Sequence, residues 1–81
     1  MRLDIMLFAV LKEAQRAERI SLDLPAGSTV GDLKAAVARE FPSLAAYLPS
    51  ARVASALRFA PDHHVIGESE PLALIPPVSG G

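Results

Sequence analysis

Cysteine is absent from the 81 residues, which removes disulfides, thiolate metal sites and cysteine nucleophiles from consideration. Glycine is scarce. The five glycines, at 27, 31, 67, 80 and 81, match neither the spacing of a phosphate-binding loop nor that of a dinucleotide fingerprint, so nucleotide binding by this chain is not expected. No uncharged run approaches the length of a bilayer-spanning helix, and Leu72 to Gly81 is interrupted by two prolines and two glycines, so no membrane segment is expected. The amino-terminal Met-Arg-Leu-Asp lacks a basic stretch followed by an apolar core and a cleavage site, which predicts a cytoplasmic protein. Eight basic against nine acidic residues leave a net charge of −1, and so no electrostatic reason to expect nucleic acid or an anionic membrane as partner.

The distribution of charge is less even than its sum. Every Lys and Arg lies at or before Arg58, whereas Asp62, Glu68 and Glu70 follow it, so the carboxy-terminal end is expected to meet a basic partner. Two histidines are adjacent at 63 and 64. On a strand they point to opposite faces and cannot share a metal, so they are read as a solvated pair and no metal site is expected. Glu68 and Glu70, flanked by Gly67, Ser69 and Pro71, read as an exposed turn, and Tyr47 as a cap on the core edge.

Apolar types make up 51% of the chain and charged types 21%, a balance that gives one packed domain with a radius of gyration of about 12 Å. Leu3 to Val10 is apolar except for Asp4 and predicts a central strand. A short helical or turn-like piece at Leu11 to Arg16 follows, and Glu18 to Leu24 alternates with period two, a second strand making a hairpin with the first. Thr29 with Asp32 three residues on is a capping-box variant that opens a helix. In that helix Val30, Leu33, Val37, Phe41 and Leu44 form one apolar stripe, and Pro42 stops it. Ser43 to Ser50 reads as a connection with one loose turn. Arg52 to Phe59 predicts a third strand, Ala60 to Asp62 a turn, His63 to Ile66 a short strand, and Pro71 to Ile75 a last strand. One helix across a mixed sheet is an α+β arrangement, and the order fits a β-grasp (ubiquitin-like) fold of about five strands, with the first and last parallel at the centre. Residues 1–75 are thus expected to form the domain and 76–81 a projecting flexible tail.

That tail is the stretch with chemical potential. Pro76-Pro77 cannot continue a ladder, so the strand ends and the chain leaves the domain. Six residues from Pro76 reach at most roughly 20 Å. Gly80 and Gly81 have no Cβ, which lets them thread a narrow slot and present the α-carboxylate of Gly81 to a reagent.

With these features in place the chain resembles the small, sulfur-carrier subunits of molybdopterin synthases, in the ubiquitin-related MoaD/ThiS-like family. The matching stretches are Met6-Leu7-Phe8-Ala9 with Leu11-Lys12-Glu13, Ser28 to Leu33, Phe59-Ala60-Pro61-Asp62, and Leu72 to Gly81 with its Pro76-Pro77-Val78-Ser79-Gly80-Gly81 ending. The resemblance implies that Gly81 is adenylated by an ATP-using activating enzyme, converted to a thiocarboxylate and inserted into a large catalytic subunit. There its sulfur passes to cyclic pyranopterin monophosphate, in a heterotetramer of two small and two large subunits. On this reading the chain binds no cofactor and is not an enzyme on its own. Two departures stand out: Ser55-Ala56 where the family often has Val-Asn, and Glu68-Ser69-Glu70-Pro71 where it often has Asp-Gly-Asp-Glu. The first puts a turn hydrogen bond in question.

If the helix covers the face bearing Ile5 and Leu7, Phe8 faces outward, and the resemblance places Phe59 and Ile75 beside it. An exposed apolar patch at the root of the tail is expected to bind partners, with Pro76 to Ser79 contributing. Three other functions fit the same features: a carrier for thiamine or tRNA thiolation, a ubiquitin-like modifier joined through Gly81 to lysines, and an interaction domain with an inert tail.

Overall fold

Strict alternation in Arg2–Leu7 builds β1, with Leu3, Ile5 and Leu7 buried and Asp4 and Met6 exposed. A computed structural model describes residues 1–77 of the chain. After β1 come α1 (Ala9–Gln15), β2 (Arg19–Asp23), α2 (Val30–Glu40), α3 (Pro42–Ala45), β3 (Arg52–Ser55), β4 (Arg58–Ala60) and β5 (Leu72–Ile75). The sheet order is β2-β1-β5-β3-β4. β1 runs antiparallel to β2 and parallel to β5, with Ile5 opposite Ile20 and Leu72, and Leu7 opposite Leu74. A mixed five-stranded sheet with its first and last strands parallel at the centre, crossed by one main helix, is the β-grasp arrangement expected from the sequence. The radius of gyration is 11.6 Å.

α2 begins where its cap dictates. The Thr29 hydroxyl accepts the Asp32 N–H at 3.2 Å and the Asp32 carboxylate accepts the Thr29 N–H at 2.9 Å, a reciprocal box worth about 1 kcal/mol. Val30, Leu33, Ala36 and Val37 then lie buried on one stripe, facing the sheet side that carries Ile5, Leu7, Val53 and Leu74. Leu44 is fully buried, and Phe41 and Tyr47 pack at the margin, as expected for both.

Four boundaries differ from the sequence expectation. β1 stops at Leu7 rather than Val10: Phe8 is still extended, but Ala9 turns at φ 50° into α1, whose helix-favouring residues bury Leu11 completely. Pro42 ends α2 and also opens α3 at its first position, where a missing N–H costs nothing. The strand predicted over Arg52 to Phe59 is two strands. It folds back at Ala56 and Leu57, with φ 50° and 70°, so that Ala54 faces Phe59 and Ser55 faces Arg58. Tight two-residue hairpins require these left-handed angles and usually take them from Asn or Gly; neither is present, so the turn had no signature. Finally, His63 to Ile66 contributes a single bridge, Val65 to Thr29. That segment is instead tied to the start of α2, with the Val30 N–H donating to the His64 carbonyl and the Ile66 N–H to that of Ser28, both at 2.9 Å.

Candidate functional site

Among the described residues the sheet has one face under α2 and one without a covering element. On the open face the register aligns Met6, Ala73, Ala54 and Phe59 in one row across four strands. Ile75 lies opposite Arg52 in the next row, and Phe8 follows Leu7 at the end of β1. Phe8 is 44% exposed, Met6 46% and Phe59 55%, a high exposure for large apolar side chains that adjoin one another. Together with Leu57, Pro71 and Ile75 they line a shallow groove of about 340 Å³. Burying such a patch is worth roughly 25 cal/mol per Å² before the costs of association.

Phe8, Phe59 and Ile75 are therefore brought together as expected. The Arg52 guanidinium lies over the Phe59 ring, 4.3 Å from its centroid, a cation–π contact. Pro76 is half-buried and Pro77 exposed where β5 ends, so the tail begins at one end of the groove. Val78, Ser79, Gly80 and Gly81 lie outside the described residues.

The acidic end of the chain is not the open acidic patch that its sequence suggests. Asp62 pairs with Lys34 at 3.4 Å. Glu70, expected on an exposed turn, is the centre of a cluster. Its carboxylate accepts the Ser55 hydroxyl, accepts the Gly67 N–H at 2.8 Å and meets His64 Nε2 at 2.8 Å. Its side chain is 18% exposed and that of His64 37%, so His64 is not the solvated residue predicted. The two departures from the family pattern, Ser55 and Glu70, thus meet in space. The Ala56 N–H donates to the Pro71 carbonyl at 3.1 Å. A link between Ser55 and Glu70 has no signal in sequence, because it crosses from the end of β3 to the entry of β5. No group of three side chains able to hold a metal ion occurs among the described residues.

Hydrogen bonds from Ser55 and then Gly67, with a smaller contribution from His64, hold the Glu70 carboxyl below the ordinary carboxylate range, against the opposing effect of burial. A carboxyl lowered by folding stabilises the native state above its unfolded pKa, and that contribution is lost as pH falls through the folded value. Glu70→Gln is accordingly expected to lower the unfolding midpoint by a few degrees at pH 7, with the difference closing as the solution is acidified below the carboxylate range. Thermal unfolding across pH checks this; a difference that persists unchanged in acid would contradict it.

The fold and this face have known counterparts. The ThiS family pattern matches residues 5–81. The molybdopterin synthase sulfur carrier subunit of Arabidopsis thaliana is 30% identical over 77 residues, covering 95% of this chain and 80% of that protein. Among solved structures, SAMP1 from Haloferax volcanii superposes with a TM-score of 0.87 at 27% identity over the whole of both chains. A chain of the complex of subunits 1 and 2 of the molybdopterin-converting factor from Helicobacter pylori superposes with a TM-score of 0.70 at 18% identity, again over the whole of both chains, a likeness of fold. Sequence pattern and architecture agree from β1 onward: the chain belongs to the ThiS family and is a homologue of the molybdopterin synthase sulfur carrier subunit.

Proposed function

We propose that this chain carries sulfur for molybdenum cofactor biosynthesis on the carboxylate of Gly81. An activating enzyme would bind the domain and ATP; a Gly81 carboxylate oxygen attacks the α-phosphorus, pyrophosphate leaves, and an acyl-adenylate results. Hydrosulfide delivered by a sulfur-donor system then attacks the acyl carbon, AMP leaves and a proton is released, giving a thiocarboxylate. The charged carrier docks on a large synthase subunit and passes that sulfur to cyclic pyranopterin monophosphate. Within this scheme the domain supplies the acyl group and the handle, and its partners supply the activation chemistry. The supporting observation is the 30% identity to a sulfur carrier subunit along 95% of the chain, with an open apolar face at the root of the tail. Mass spectrometry of the chain produced beside its activating enzyme tests the reading. The expected result is the mass gain of one oxygen exchanged for sulfur, and molybdopterin formed when the large subunit and the pterin precursor are added. An unchanged mass contradicts it.

The likeness to SAMP1, TM-score 0.87, favours one second reading, attachment of Gly81 to lysines of other proteins. Branched Gly81–lysine peptides in digests of cell extract, with no thiocarboxylate, would select it.

Docking through the open face makes a separate prediction. Phe8 is 44% exposed, so Phe8→Ala removes little from the core. It should leave the unfolding midpoint nearly unchanged while weakening the complexes with the large subunit and the activating enzyme about tenfold each, the range of a central aromatic anchor. Unaltered affinities by calorimetry would refute it.

A further inference from the structure

The β3–β4 hairpin carries two features that disfavour the isolated domain. Ala56 and Leu57 both occupy the left-handed region, at φ 50° and 70°, where side chains other than Asn and Gly are strained. Leu57 is also fully exposed, at 100%, at a tip where a polar residue would suit the free protein better. The hairpin sets the two angles, but packing explains neither the use of Ala and Leu to take them nor the exposed leucine. The same leucine lies along the apolar groove that reaches Phe8 and Ile75 at the root of the tail, so the groove runs on to the hairpin tip.

The charges beside this groove are of one dominant sign. Arg52 lies over Phe59, and Arg19 stands opposite Met6 in the sheet row. Among the described residues the ion pairs are Arg2–Asp23, Lys34–Asp62, Arg39–Glu40 and His64–Glu70, and none uses these two arginines. Asp4, an exposed acid on this face, accepts a hydrogen bond from Ser21. A second copy of the chain would set arginines against arginines; a surface of opposite sign would pair them.

We propose that Leu57 is a docking anchor that seats in an apolar pocket rimmed by carboxylates on the large synthase subunit, extending the docking face from the root of the tail to the hairpin tip. The inference rests on the carrier reading for the identity of that partner. Strain and exposure in the free chain are then the cost of a contact made only in the complex. Leu57→Asn keeps a residue that tolerates the left-handed angle and removes the apolar anchor, and Arg19→Glu reverses a charge on the open face, opposite Met6.

The test uses the full chain and the purified large subunit. Calorimetry should find Leu57→Asn at least tenfold weaker in binding, with its unfolding midpoint equal to or above that of the parent. Stopped-flow mixing should find Arg19→Glu several-fold slower to associate at low salt, the gap narrowing as salt is added. Unchanged affinity of Leu57→Asn, while Phe8→Ala binds more weakly, overturns the inference and leaves the carrier reading standing. A parent chain that does not bind the large subunit overturns both. Sedimentation showing that the free chain dimerises, and that Leu57→Asn abolishes the dimer without affecting subunit binding, assigns the tip to self-association and overturns the inference as well.

Discussion

A chain lacking Gly81 is expected to gain no sulfur in the presence of its activating enzyme and to support no molybdopterin formation, while unfolding at the temperature of the parent. The two halves of that expectation have separate causes. Among the described residues every member of the buried core precedes Pro76, so the shortened chain retains that core. The reacting carboxylate, in contrast, would be withdrawn by one residue, up to roughly 3.5 Å, and displaced reacting atoms lose the near-attack geometry on which catalysis depends. Gly81→Ala is the milder form. It keeps the length and adds a Cβ beside the carboxylate, so slower activation with an intact mass shift is expected. Thiocarboxylate detected on the shortened chain would show that the reactive group lies elsewhere.

The second large effect concerns stability. Leu74 is 0% exposed on the central strand, flanked by Leu7 of β1 and Val53 of β3 and packed in the same core as Leu33 and Val37 of α2. Leu74→Ala should cost about 3–4 kcal/mol, because neighbours on both sides prevent the cavity from closing. A domain of this size has about 5–10 kcal/mol in total, so the unfolding midpoint should fall by roughly 15–25 °C. The adjacent Ile75 points to the open face and is half-exposed. Ile75→Ala should shift the midpoint far less and show its effect in partner binding. Calorimetric melts of the two variants check the contrast, and similar losses in both would mean that the two faces of β5 are not energetically distinct.

Those opposite roles of neighbours show why much of the fold was legible. Period-two alternation in β2, the Thr29–Asp32 cap and the Val30, Leu33 and Val37 stripe of α2 are local signals, and each appears where the sequence predicts it. The open face followed from the same parity: once Ile5 and Leu7 face inward, Met6 and Phe8 must face out. What escaped was set by contacts remote in sequence or by turns without their usual residues. Ala56-Leu57 bends without Asn or Gly. Ala9 begins a helix inside an apolar run that reads as strand. Glu70 reads as solvated from its sequence neighbours, and only the placement of Ser55 and His64 beside it shows otherwise.

The parallel pairing of β1 with β5 also constrains how the molecule comes into being. The strand beside which β1 and β3 both lie is made of residues 72–75, so the sheet cannot close until translation has passed Ile75. High contact order of this kind slows folding to milliseconds or longer, and a ribosome-bound intermediate would expose the apolar flanks of β1 and β3 to chaperones. A chain terminated before Ile75 therefore lacks the strand that joins the two halves of the open face.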